Sequence, residues 1–187
     1  MKLTVKARGA QKKESLNELR RKGGIPAVLY SKGRPAESVY IDSIEFSAHL
    51  RALKSGHLPT TIFILEEGKN QRRAIIKDIQ RNIITYQVSH IDFEEIVDGT
   101  PIHLKVPITL TNVLECTGVK LGGILRQVIR YVKVECLPRD IPKEFTLDVK
   151  DLGVKQKSRL SEIKLPEGVK PLIRMNEVVV IIAKGKG

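Results

Sequence analysis

Ile102-His103-Leu104-Lys105-Val106-Pro107-Ile108-Thr109-Leu110-Thr111 alternates apolar residues with others from end to end. A period of two marks a strand with one buried face. Pro107 has no N–H for a ladder, so this strand lies at an edge or turns that nitrogen outward. The same pattern recurs downstream. Gln127 to Leu137 alternates, with Val128, Val132 and Val134 on one side, and Phe145, Leu147 and Val149 follow suit. Ser158 to Lys164 reads as a short helix or turn, and Val178 to Ile182 as a closing, fully buried strand. The fold class is mainly β with a few short helices. Residues 96–187 read as a C-terminal all-β domain, a small sandwich or barrel. Gly99 and Pro101 punctuate the stretch that precedes it, so residues 1–95 form a first domain.

The first domain alternates strands with short helices. Leu3 to Arg8 is a strand, and a loop spans Gly9 to Lys13. A helix follows, with Ser15 and Glu18 as a capping box and Gly23-Gly24 as its stop. Leu16 and Leu19 mark its buried side, which leaves Arg20 on the flank and Arg21 almost opposite. Ile25 to Tyr30 is a strand entered through a turn that Pro26 fixes. Ser38 to Ile41 is another strand. Asp42 to Leu53 is a helix with Ile44, His49, Leu50 and Leu53 at helical spacing and Ser43 as a cap. Thr60 to Leu65 and Arg73 to Ile79 are strands around a turn at Gly68 to Asn70.

In Ile84-Thr85-Tyr86-Gln87-Val88-Ser89-His90-Ile91-Asp92-Phe93 the apolar residues sit at 84, 86 and 88, then at 91 and 93. The phase slips by one near Ser89, which predicts a β-bulge or sharp bend there. Beyond the slip, His90 and Asp92 share the polar face.

Charge is unevenly placed along the 187 residues, which carry +12 in all. The first thirty-four hold ten Lys/Arg and two Glu, or +8. A dense basic segment with local structure is the footprint of a surface that meets phosphates. Hydrophobic residues make up 41%, so the chain is globular. The longest apolar run, Val178 to Ala183, is far short of the roughly 20 residues a membrane span needs. The N-terminus has no apolar signal core, which points to the cytoplasm.

Catalysis is weakly supported. Gly118 to Gly123 lacks the phosphate-loop pattern and precedes strand, so unusual backbone angles explain its glycines better. His90 and Asp92 could be read as the dyad of an RNA-processing hydrolase, but no nucleophile or oxyanion site accompanies them in sequence. Cys116 and Cys136 match no zinc spacing and read as reduced, half-buried strand residues. The four histidines show no ligand spacing. No cofactor or metal is called for.

The basic face is the stronger signal: Arg8, Lys12, Lys13, Arg20, Arg21, Lys22, Lys32 and Arg34. Aromatics are only 4% and Trp is absent, which disfavours base-stacking single-strand readers. No long recognition helix exists for a DNA major groove. A short cationic helix beside polar strand residues suits the wide, shallow minor groove of structured RNA.

Several motifs, in order, resemble one family. Leu19-Arg20-Arg21-Lys22-Gly23-Gly24-Ile25-Pro26-Ala27-Val28-Leu29-Tyr30 resembles the N-terminal signature of the bacterial large-subunit ribosomal protein L25 family, in its longer general-stress-protein (Ctc) form. Asp78-Ile79-Gln80-Arg81 with Ser89-His90-Ile91-Asp92-Phe93 resembles its second signature, with Asn82-Ile83 where a His-Pro pair is common. Gly118-Val119-Lys120 with Gly122-Gly123 and Leu125, then Val134 to Pro138, Ile141-Pro142 and Leu165 to Val169, resemble the C-terminal domain of the longer members.

The resemblance implies a non-enzymatic protein with a β-barrel-like first domain. Its implied partner is 5S ribosomal RNA, at an internal loop of non-Watson–Crick pairs in the large subunit. Arg8 and Arg20 would meet backbone and groove, with Tyr30 beside them, and Gln80, His90 and Asp92 would add polar contacts from the sheet face. Lys12, Lys13 and Arg21 complete the expected RNA-binding set. The C-terminal domain could instead serve as a protein-interaction module docking neighbouring ribosomal proteins or a stress partner. The protein is expected to be monomeric off the ribosome and to need no membrane.

Overall fold

The computed structural model describes residues 1–8, 13–68 and 70–184, with only the backbone of 13–15. The expected Ser15 cap, Lys12, and the Lys13 side chain therefore lie outside the described residues. The chain divides into two compact units, Met1–Thr100 and one that begins at Pro101.

The first unit contains β1 (Lys2–Ala7), α1 (Lys13–Arg21), β2 (Gly24–Ser31), β3 (Arg34–Asp42), α2 (Ser43–Ala52), β4 (Ile62–Glu67), β5 (Asn70–Arg81) and β6 (Val88–Glu95). The strands close into a barrel in the order β1-β3-β2-β6-β5-β4. The parallel pair β1–β4 makes the closing seam, registered Leu3 to Leu65. A second parallel pair joins β2 to β6, registered Ala27 to Ile91 and Leu29 to Phe93.

Period-two alternation fills the barrel. Leu3, Val5, Ile25, Ala27, Leu29, Val39, Ile41, Ile91 and Phe93 all point inward and are buried. Phe63 and Phe93 meet edge to face at 6.4 Å, a favoured aromatic geometry. The residue that α2 adds to this core is Phe46, fully buried. Ile44, expected on the buried side, is 77% exposed instead. The cap also differs: Asp42 Oδ1 accepts from Ile44 N (2.7 Å) and Glu45 N (3.2 Å), so Asp42 and not Ser43 starts the helix. Leu50 and Leu53 pack against the core as expected, and Phe46, one turn before Leu50, takes the place expected of Ile44.

Pro26 lies inside β2 and not in a turn, registered against Tyr40 of β3. A proline fits here because pairing with β6 begins only at Ala27, so its nitrogen can face an unpaired edge. Thr60 belongs to a 3₁₀ turn, Leu58–Thr60, and not to β4. Residues 84–87 form a turn and not the start of a strand; β6 begins at Val88. Gly23 takes φ +82° just after α1, as a left-handed helix stop requires. At Gly24 a Cβ would come within 2.7 Å of Leu19 Cδ1. The bare backbone there lets α1 lie close on β2.

The second unit contains β7 (Ile102–Thr111), α3 (Thr117–Lys120), β8 (Gly123–Gln127), β9 (Tyr131–Cys136), β10 (Phe145–Asp148), β11 (Lys157–Arg159), β12 (Lys170–Pro171) and β13 (Val178–Lys184). It forms two sheets, β10-β7-β9-β12 and β11-β13-β8. β7 is internal, not an edge. Ile108 N donates to Arg130 O on the β9 side, so the neighbouring Pro107 nitrogen faces β10, whose pairing starts only at Ile108. The expected single strand from Gln127 to Leu137 is broken at 128–130, where Val128 is 57% exposed.

The segment Ser158 to Lys164 divides between β11 and a 3₁₀ turn, Leu160–Glu162. The glycine loop serves packing. A Cβ on Gly118 would meet Ile182 Cδ1 at 2.8 Å, and one on Gly123 would meet Gly118 O at 2.6 Å. Both cysteines are free and buried; Cys116 caps α3 and only Cys136 is in a strand.

Candidate nucleic-acid interface

The bulge expected from the phase slip is present. Gln80 is registered with His90 and Arg81 with Val88, which leaves Ser89 as the extra residue on β6. A bulged residue loses its ladder partners, and its carbonyl needs another donor. Arg20 supplies it: Nε and Nη2 both donate to Ser89 O at 3.3 Å. Nη1 donates to Asn17 Oδ1 at 3.4 Å. These are long bonds, weak singly, but two on one carbonyl orient the plane of the guanidinium. α1 is thereby tied to β6 through an arginine that remains exposed.

Beside the bulge, His90 and Asp92 point outward from β6. His90 Nδ1 lies 2.8 Å from Asp92 Oδ1, with no hydrogen bond formed between them. Gln80 stands next to His90, and Asp78 next to Asp92, by strand register. Tyr30 is registered with Glu94 on the neighbouring strand. Burial, then the charges of Glu94, Asp92 and Asp78, raise the Tyr30 phenol above its ordinary pKa of 10.0. It is thus an O–H donor at neutral pH. Lys77 Nζ lies 2.6 Å from Glu94 Oε2 and offsets part of this acidity.

Arg20, Tyr30, Gln80, His90 and Asp92 are thus brought together on β2, β5, β6 and the helix above them. Arg8 enters from a different strand end. Its backbone N donates to Ser38 O at 2.9 Å. Ser38 is registered with Val28, and Val28 with Asp92, so Arg8 opens the far end of a row that reaches Asp92 three strand spacings away. That is about 14 Å along the barrel surface. Its Nε is shielded and has no hydrogen-bond partner among the described residues. Arg21 is exposed. With Arg20, Ser43, Asn82, Gln87 and Ser89 it lines an open cleft of about 320 Å³.

Sequence reasoning missed two members of this site. One is the Ser89 carbonyl, a backbone group with no side-chain signature. The other is Asn82, whose Oδ1 accepts from Ile84 N and Thr85 N and shapes the turn at the cleft. Asparagine after a strand is a readable turn signal. Among the described residues no group of His, Cys, Asp or Glu is placed to hold a metal ion. No helix among them is long and apolar enough to cross a membrane.

Residues 3–93 match the Ribosomal L25p family, and residues 101–186 match the C-terminal domain of ribosomal protein TL5. Relatives match over nearly the whole chain. A large ribosomal subunit protein bL25 of Chlamydia muridarum is 46% identical over 184 residues, covering 98% of this chain and all of the relative. The bL25 of Chlamydia trachomatis serovar L2 is 46% identical over the same shares, and that of Chlamydia pneumoniae 43%. The family is one of non-enzymatic ribosomal proteins, so the hydrolase reading of His90 and Asp92 falls away. Barrel, bulge and matched motifs agree, and the chain belongs to the L25p family of ribosomal proteins, in the form that carries a TL5-type C-terminal domain.

Proposed function

We propose that this protein is a structural component of the large ribosomal subunit that binds 5S rRNA at an internal loop of non-Watson–Crick pairs. Binding begins with electrostatic capture by the basic end of the chain, then docks α1 and the outer face of β5 and β6. The supporting observation is the joint of Arg20 with the Ser89 carbonyl, beside the His90–Asp92 contact. It places a cation next to side chains that can both donate and accept, at fixed spacing. A folded RNA surface presents the complement: phosphate, 2′-hydroxyl and base edges.

Each residue has a distinct role in this reading. Arg20 and Arg21 meet phosphate along the cleft, and Lys12 and Lys13 extend that contact through the first loop. Arg8 approaches the backbone from the far end of its row. Gln80 both donates and accepts, His90 offers a ring nitrogen, and the Tyr30 phenol donates. Asp92 accepts from a base amine or a 2′-hydroxyl and orients His90 as it does so.

A titration against labelled 5S rRNA, with tRNA as the competitor, tests the proposal. The expected result is 5S binding that survives excess tRNA. Equal affinity for both RNAs would reduce the site to a nonspecific cationic surface.

A further inference from the structure

The turn between β5 and β6 displays its largest side chains. Asn82 holds it rigid: Oδ1 accepts from Ile84 N (2.8 Å) and Thr85 N (3.1 Å), and its carbonyl accepts from Tyr86 N (2.9 Å). Asn82 N donates in turn to Gln87 O at 2.8 Å. Held in this way, Ile83, Ile84 and Tyr86 are 89%, 87% and 74% exposed. Tyr86 sits at φ +57°, a left-handed conformation that is uncommon for a bulky residue. Glycine would adopt the same backbone freely. The left-handed backbone closes the turn, but the barrel core does not include the Tyr86 ring, so the exposed ring does not serve core packing.

The surroundings of the ring are cationic and polar. Arg81 Nη1 donates to Tyr86 O at 3.4 Å. The flanking residues Thr85 and Gln87 line the same cleft as Arg20 and Arg21. An exposed aromatic face between two residues that line the arginine cleft can accept an unstacked base on the ring while its phosphate meets the arginines. The turn borders the arginine-lined cleft that the reading above assigns to RNA, which favours a nucleotide as the partner of the ring. One such ring takes one base, which is consistent with a chain too poor in aromatics to track a single strand.

We propose that Tyr86 is a stacking platform for an unpaired nucleobase of the RNA docked on the α1–β6 face. The inference rests on the RNA-binding function proposed above and adds to it a base-contacting position on the β5–β6 turn. The chain contains no Trp, so Tyr86→Trp installs a sole indole at the site. Full-length protein is titrated with transcribed 5S rRNA, reading affinity by filter binding and indole emission by fluorescence. Tyr86→Trp is expected to bind within about twofold of the parent, with emission quenched at saturation as stacking requires. Tyr86→Gly keeps the left-handed turn, and is expected to melt no lower than the parent yet bind about tenfold more weakly. If Tyr86→Gly binds as the parent does while Arg20→Ala is weakened, the RNA face stands and the platform is refuted. A parent that fails to bind 5S rRNA refutes both.

Discussion

Arg20 and Ser89 meet through two 3.3 Å hydrogen bonds from one guanidinium to one bulge carbonyl. The bond pair forms where β6 carries an unpaired residue, Ser89, opposite the Gln80–Arg81 step of β5. The arginine is therefore both a cation on the surface and a clamp between α1 and the barrel.

Arg20→Ala removes both roles. Affinity for 5S rRNA is expected to fall by tenfold or more, about 1.4 kcal/mol. The melting temperature should drop only slightly, because the bonds are long and solvent-exposed. Arg20→Lys restores the charge but cannot grip one carbonyl twice, so it should recover part of the affinity. Full recovery with lysine, measured by filter binding, would show that the clamp is dispensable.

Arg21 is exposed and lines the cleft, so Arg21→Ala tests phosphate contact alone. The slope of log affinity against log salt should become shallower by about 0.7–0.9. Thermal stability should stay the same. A slope equal to the parent's places Arg21 away from the RNA backbone.

Helix α2 separates two candidate caps. Asp42→Ala should cost about 1 kcal/mol in a urea titration. Ser43→Ala should change little, because the cap carboxylate of Asp42 remains. The reverse order would contradict the observed geometry. Phe46→Ala is a larger lesion, about 3–5 kcal/mol, since it empties a fully buried ring position.

Alkaline pH should weaken the second unit. Burial, and then the charge of Asp140, push the Cys136 thiol up from 9.0 to about 11. The folded state therefore holds that proton at a pH where the unfolded state has released it. Its contribution is fully present below pH 9 and is lost as pH rises through about 11. The loss should reach about 2 kcal/mol. Denaturant curves at pH 8.5 and 11 should show it in the parent, and Cys136→Ala should flatten the difference. Tyr30, also raised, acts in the same direction above pH 10 in the first unit.

Much of the fold was legible because alternation reports burial directly. Ile102 to Thr111 and Phe145 to Val149 read as strands, and strands they are. The bulge at Ser89 is where the phase slip put it, but of the three residues that set the earlier phase only Val88 belongs to β6, while Ile84 and Tyr86 lie exposed in the turn. Local pattern failed where a neighbour decided the outcome. Val128 continues the period of Val132 and Val134, yet it bonds back to Val179 O of β13 and the chain turns before β9 begins. Phe46 was overlooked because the apolar face was counted from Ile44, which points to solvent, although Phe46 stands one turn before Leu50 on the true face. Of the two readings that Pro107 offered, the edge strand is wrong and the nitrogen turned away from the ladder holds, because an internal strand tolerates proline just before its second partner begins. In the site, cationic residues were visible by type, whereas the carbonyl that fixes Arg20 and the strand spacings that separate Arg8 from Asp92 depend on backbone register.

The two units complete themselves at different moments of synthesis. The barrel's last strand ends at Glu95, so every hydrogen-bonded neighbour it needs has emerged before the second unit is made. In the sheet β11-β13-β8 the final strand is the middle one, and β8 and β11 have nothing to pair with until residues 178–184 appear. A nascent chain stalled near residue 150 would thus carry a finished barrel, the unit proposed to dock RNA, ahead of a half-made second unit. Ribosome-associated RNA could engage the first before the second exists.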